Sequence, residues 1–299
     1  MLFSSSKKGW IKMSNLTSYL FKTDAFRVCE ENKPFWYTSS KIGPYFVNGH
    51  FLYGSEKDAN VLLDFINEEL ENASKEQIPQ DIFSKVLYQY ENNVLYSTII
   101  NNLVMYIKEN ISIDDIDYIS GGERRDWYFS NIVAYLMKKP HITIYKDLTC
   151  VLSSYNFSKN EQITKLENAK VLHVSDLLNQ ASSLLDAWIP AISNLGSKIL
   201  WSACAIDRCQ GGSEKLEDAN VKSFALINID NACFKEALNL GIINENQLKM
   251  LQEFVKEPYE TMRNFLINHP EFLENSLNSL DSKTAKRAKK CVEENIYNL

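Results

Sequence analysis

Val171-Leu172-His173-Val174-Ser175-Asp176-Leu177-Leu178-Asn179-Gln180-Ala181-Ser182-Ser183 is the stretch on which the fold turns. A short apolar run delivers Asp176 to its carboxyl end, a loop of small polar residues comes next, and the spacing predicts a helix over Ser183–Leu195. A buried strand that passes through a polar turn into a helix is one βα unit of a parallel sheet. Such a loop can wrap a phosphate with backbone N–H groups and the hydroxyls of Ser182 and Ser183, while Asp176 accepts hydrogen bonds from sugar hydroxyls. Taken alone, the same residues also fit an ordinary βα turn with a serine cap.

The alternation continues on both sides. Ile116–Ser120 is an apolar run ending at Gly121-Gly122, and Trp127–Met137 then has helical spacing. Ile142–Tyr145 comes after Pro140 as a strand; Ile199–Ile206 and Phe224–Ile229 are two more. Apolar strands separated by helix-length segments predict an α/β chain with a mostly parallel twisted sheet flanked by helices, and ligands at the carboxyl ends of its strands. Val61–Glu71 and Ile82–Glu109 read as helices, the latter as one, with Val86, Leu87, Val94, Leu95 and Ile99 on a buried face. Near the C-terminus, Asn244 with Gln247 forms a capping-box start, and Pro258 and Pro270 divide the remaining chain into short helices. The basic segment Lys283–Lys290 reads as a solvated face. Four segments are expected: a hood over 1–55, a helical insertion over 56–115, the core over 116–240 and a helical C-terminal extension over 241–299.

Composition narrows the function. With 299 residues, 45% hydrophobic and 23% charged, the chain has ample material for a buried core. Its formal net charge of -6 offers no global field for nucleic acid or an anionic membrane. An anionic ligand therefore needs a local cluster of cations and N–H groups. The six cysteines stand at no zinc-ligand spacing and read as reduced thiols. No apolar run succeeds the start, Met1 to Lys8, and no stretch has bilayer length, so a cytoplasmic protein is expected. His173 reads as a satisfied core histidine; His50, His141 and His269 have no acidic or cysteine neighbour at metal or triad spacing.

Three further constellations sit beside predicted strands. Gly121-Gly122-Glu123-Arg124-Arg125-Asp126 combines a tight turn, a helix start and two arginine forks suited to a pyrophosphate, or else a surface turn whose arginines pair with Glu123 and Asp126. Asp207-Arg208-Cys209-Gln210-Gly211-Gly212 places an arginine that can clamp a planar carboxylate or imide, or else pair with Asp207 or Glu214. Trp36–Asn48 alternates aromatics and small polar residues around Lys41, which suits a hood over a base ring or a hairpin packed on the core.

In this order the four elements resemble orotate phosphoribosyltransferase, a type I phosphoribosyltransferase. Ser39-Ser40-Lys41-Ile42-Gly43-Pro44-Tyr45 is similar to its hood, Gly122-Glu123-Arg124-Arg125 to its pyrophosphate loop, Val171–Ser183 to its phosphoribosyl-diphosphate (PRPP) loop, and Asp207–Gly212 to its orotate-contacting segment. The resemblance covers roughly residues 35 to 251. It implies a Mg²⁺-dependent transfer of phosphoribosyl from PRPP to orotate or a related pyrimidine-type base, in a homodimer. It also implies roles. Asp176, Arg125 and Lys146 would be catalytic, with Asp176 also a metal ligand. Glu123, Arg124, Asn179, Gln180, Ala181, Ser182 and Ser183 would bind PRPP phosphates, and Lys41, Tyr45 and Arg208 the base. The chain departs from the pattern at three places. The acidic pair is Ser175-Asp176, the Thr/Gly-rich cradle is Asn179–Ser183, and the basic mobile loop, which in the family reaches a neighbouring subunit's site, is Asp147–Val151 with Lys146 alone before it. These departures raise an alternative, a catalytically inactive PRPP- or nucleotide-binding regulator on the same fold.

Overall fold

The computed structural model describes residues 13–299, and the reading of the start, Met1 to Lys8, lies outside them. The chain divides into two compact units. The larger takes in the chain up to Ala25 and Asn48–Asp230, the smaller Phe26–Val47 and Asn231–Leu299.

The larger unit is built on a seven-stranded sheet: β1 (Tyr118–Gly122), β2 (His141–Ile144), β3 (Cys150–Ser153), β4 (Asn160–Ile163), β5 (Lys170–Leu178), β6 (Lys198–Asp207) and β7 (Lys222–Asn228). Their spatial order is β7-β6-β5-β1-β2-β3-β4. The five strands from β7 to β2 are mutually parallel, whereas β3 and β4 join antiparallel. Val171, Leu172 and Val174 of β5 are completely buried, as a central strand covered on both faces requires. The chain steps outward from β1 to β2 on one side and from β5 to β6 and β7 on the other. The strand order therefore reverses between β1 and β5, and the loops at their carboxyl ends diverge to leave a crevice.

Around the sheet lie α1 (Glu56–Asn72), α2 (Ile78–Asn92), α3 (Val94–Asn110), α4 (Trp127–Met137), α5 (Ile189–Asn194) and α6 (Gly212–Asp218). The single helix expected over Ile82–Glu109 is two. Asn93 leaves helical geometry at φ -119°, ψ 107°, and its side chain accepts the Tyr96 N–H, starting α3 anew. Strands β3 and β4 are absent from the sequence-based expectation. The first is only four residues long, and the second, Asn-Glu-Gln-Ile, is a polar edge strand without an apolar pattern to betray it.

In the smaller unit, Phe26–Val28 pairs antiparallel with Tyr45–Val47, and Phe35–Trp36 with Ile42–Gly43. C-terminal helices close over these ribbons. Trp36 stacks on Phe272 and donates to Ser276 Oγ (3.0 Å), and the Ile42 N–H donates to the Tyr297 hydroxyl (2.9 Å). The Asn244–Gln247 capping box is present, and Pro258 and Pro270 each stand in the first turn of a helix. No described helix is long and apolar enough to cross a membrane.

Candidate functional site

At the β1/β5 reversal the crevice is a cleft of about 480 Å³. One wall is the turn after β1, Glu123 to Asp126; the other is the end of β5 and the loop Asn179–Ser183; Lys146 stands at the rim. Ten of the residues expected at the site thus converge here from three separated stretches of sequence: Asp176, Arg125, Lys146, Glu123 and Arg124, with Asn179, Gln180, Ala181, Ser182 and Ser183. Arg208 does not line this cleft; its N–H donates to Leu178 O (2.9 Å). Lys41 and Tyr45 belong to the smaller unit, Lys41 exposed and Tyr45 buried against Phe26, Phe234 and Phe254.

The loop Asn179–Ser183 keeps a cradle shape without glycine. Ala181 adopts φ +59°, a left-handed conformation that an L-residue enters only at some cost. A helical segment starts at Ser182, passes through one π-helical stretch, Leu184–Trp188, and continues as α5. No side chain caps the π-helical stretch at Ser183, and Asn179–Ser183 with Leu184 line the cleft. The loop is also pressed from behind. A Cβ on Gly212 would lie 2.4 Å from Asn179 O, so the Gly211-Gly212 turn is what lets α6 approach the cradle.

Asp176 is buried beside His50, a residue that nothing in the sequence singles out, because Gly49 and His50 meet Asp176 only through the tertiary fold. A Cβ on Gly49 would sit 2.6 Å from Asp176 O, and His50 Nδ1 stands 3.7 Å from Asp176 Oδ2 without a hydrogen-bond partner. Burial, then the Asp126 carboxylate, push the Asp176 carboxyl up to about 7, against the opposing pull of Arg125. Burial and the Arg125 charge bring His50 down to about 3, so its imidazole is neutral.

The arginine turn is fixed from below. Asp126 Oδ2 accepts the Gly122 N–H (3.0 Å) and His173 Nε2 (3.2 Å), while His173 Nδ1 meets Ser120 Oγ (3.0 Å). His173 is therefore a satisfied core histidine, as expected, and it also holds the turn that carries both arginines. For Asp126 the sequence suggests only a pairing with those arginines; the structure gives it this anchoring role instead. Arg124, across a cis Glu123–Arg124 peptide, donates to Asn67 of α1. Glu123 accepts the Lys146 N–H (3.0 Å) and faces its ammonium (3.5 Å). Arg125 is exposed at the cleft, and its guanidinium has no hydrogen bond or ion pair with other described residues.

Where a mobile loop is expected, the chain makes a tight turn. Leu148 N–H donates to Tyr145 O and Tyr145 N–H to Thr149 O, both 2.9 Å. Lys75 pairs with Asp147 and donates to Thr149 Oγ1 (2.7 Å). The hairpin tip is pinned as well, Phe157 being completely buried and stacked on Phe83.

A magnesium ion takes about six oxygen ligands. Asp126 and Glu123 are already engaged, which leaves Asp176. Among the described residues no group of three His, Cys, Asp or Glu side chains is placed to hold a metal. The residues present do not make a resident magnesium site.

No protein-family model matches the chain, and neither does any curated protein. Solved structures do. UMP synthase from Leishmania donovani is similar at a TM-score of 0.54 and 12% identity, over 82% of this chain and 42% of that one. Orotate phosphoribosyltransferase from Francisella tularensis is similar at 0.52 and 12%, over 80% and 96%. The chain thus spans about two fifths of the Leishmania protein's length and nearly all of the Francisella protein's. At such identities the likeness shows the fold, which is that of the type I phosphoribosyltransferases.

Proposed function

We propose that this chain binds PRPP in the β1/β5 cleft and transfers its phosphoribosyl group to orotate or a related pyrimidine-type base, releasing pyrophosphate. The observation that carries this reading is the convergence of the arginine turn, the Asp176 strand end and the glycine-free cradle on one cleft. Asn179, Ser182 and Ser183 would receive the 5′-phosphate through N–H and hydroxyl donors. Asp176 would accept the ribose hydroxyls and steady positive charge developing on the sugar. Arg125, with Arg124 and Lys146 beside it, would stabilise the departing pyrophosphate. Magnesium would enter with the diphosphate rather than wait in the protein. Arg208 and Lys41 stand as proposed base contacts, whereas Tyr45 is enclosed by Phe26, Phe234 and Phe254; the homodimer and cytoplasmic location are further parts of the proposal. No protein nucleophile is needed.

A second reading is a PRPP- or nucleotide-binding protein without transferase activity. The Tyr145–Thr149 turn favours it, because Lys75, Asp147 and the buried hairpin leave no long basic segment to close over a leaving group. Calorimetric titration with PRPP and Mg²⁺, and then with orotate and a pyrophosphate assay, separates the two. Pyrophosphate release that Arg125→Ala or Asp176→Ala abolishes establishes the transferase. Binding without release across a panel of bases establishes the binding protein, and absence of binding removes both.

A further inference from the structure

Two of the three cations at this cleft are already engaged, and that bears on which ligand it holds. A diphosphate donor brings several negative charges to the β1 side of the cleft, beyond those of its 5′-phosphate. Three cationic side chains line that side: Arg124, Arg125 and Lys146. Glu123 takes Lys146 at both its N–H and its ammonium, and Asn67 takes the Arg124 guanidinium. Glu123 and Asp126 also place two carboxylates in the same wall. Of the three, only the Arg125 guanidinium remains without a hydrogen bond or ion pair among the described residues. The opposite wall is different. The Asn179–Ser183 loop carries no acidic side chain, and Asp176 lies at the strand end before it, where ribose hydroxyls would fall. Each charge-assisted contact strengthens binding when it is made, and a like charge facing an anion subtracts from it.

We infer that the cleft is matched to the single-phosphate side of the reaction, so that a ribosyl 5′-monophosphate binds it more tightly than PRPP does. This rests on the phosphoribosyl reading above and adds to it the identity of the favoured ligand. The chemistry recognised is one terminal phosphate on a ribose with adjacent hydroxyls, shared by ribose 5-phosphate and the nucleoside 5′-monophosphates.

Calorimetric titration of the full chain with ribose 5-phosphate, UMP, AMP and PRPP with Mg²⁺ tests it. The expected result is that ribose 5-phosphate or one of the monophosphates binds at least about tenfold more tightly than PRPP. Two charge-releasing variants extend the test. Glu123→Gln frees Lys146, and Asn67→Ala in α1 frees Arg124. Each is expected to tighten PRPP about threefold to tenfold and to leave ribose 5-phosphate within about twofold. PRPP binding tightest in the unaltered chain overturns the inference while upholding the phosphoribosyl reading. No binding of any probe overturns that reading, and the inference with it. PRPP affinity unchanged in both variants also overturns the inference, since the charge arrangement would then not govern affinity.

Discussion

Single residues carry the chemistry of the cleft and a measurable share of its strain. Between about pH 4 and 7 the native chain holds a proton on Asp176 that the unfolded chain has lost. Stability from this group is therefore complete below about pH 4, falls as pH rises through 7, and then levels off. Asp176→Asn removes that burden without removing the acceptor oxygen. It is expected to equal the unaltered chain in stability near pH 4 and to exceed it by about 1–3 kcal/mol at pH 8. Thermal melts at the two pH values check this, and a variant less stable at pH 8 would overturn it. Ala181 gives a second case. A β-branched side chain is poorly tolerated at φ +59°, so Ala181→Val is expected to cost about 2 kcal/mol in chemical denaturation, and Ala181→Gly to stay within about 1 kcal/mol because strain relief offsets a lost buried methyl. The sequence shows that the cradle lacks glycine; that the loop nonetheless keeps a left-handed residue depends on packing from α6, which no local pattern reveals.

At the scale of elements, two junctions control shape. Asn93 closes α2 and opens α3, its side chain accepting the Tyr96 N–H at 3.0 Å. Asn93→Ala is expected to cost about 1 kcal/mol, read as a lowered denaturation midpoint at unchanged slope. Gly212→Ala drives a methyl toward Asn179 O and is expected to cost about 1–3 kcal/mol and to weaken ribose 5-phosphate binding more than it weakens free pyrophosphate binding. Equal loss of both would show that the strain spreads beyond the cradle. The parallel strands are legible because their apolar runs are bounded by turn residues, and the arginine turn because two glycines precede it. The break at Asn93 is hidden because apolar spacing continues through it. The antiparallel pair β3–β4 is hidden because a polar edge strand looks like a loop.

For the whole molecule, buried histidines oppose Asp176. Burial brings His141 and His50 to about 3 from 6.5. As pH drops below 6.5 the unfolded chain gains protons that the native chain refuses, and stability falls. Two such groups outweigh one carboxyl, so the chain is expected to lose stability on acidification from pH 6.5 to 4, and Asp176→Asn to steepen that slope. The smaller unit joins Phe26–Val47 to residues from Asn231 onward. A chain ended after Asp230 leaves Trp36 without Phe272 and Ile42 without Tyr297; it is expected to expose apolar surface to a hydrophobic dye, and a cooperative melt without dye binding would contradict this. The residues of Trp36–Asn48 allow a packed hairpin or a hood; the union of this segment with the far end of the chain is not readable, since nothing local records a partner two hundred positions away. The same union shapes the life of the nascent chain. Phe26–Val47 leaves the ribosome early, then waits while all of Asn48–Asp230 is made, on the order of tens of seconds at ordinary translation rates. Through that interval Phe26, Trp36 and Tyr45 lack their partners Phe234, Phe272 and Phe254, which makes this segment the place where a chaperone would meet the growing polypeptide.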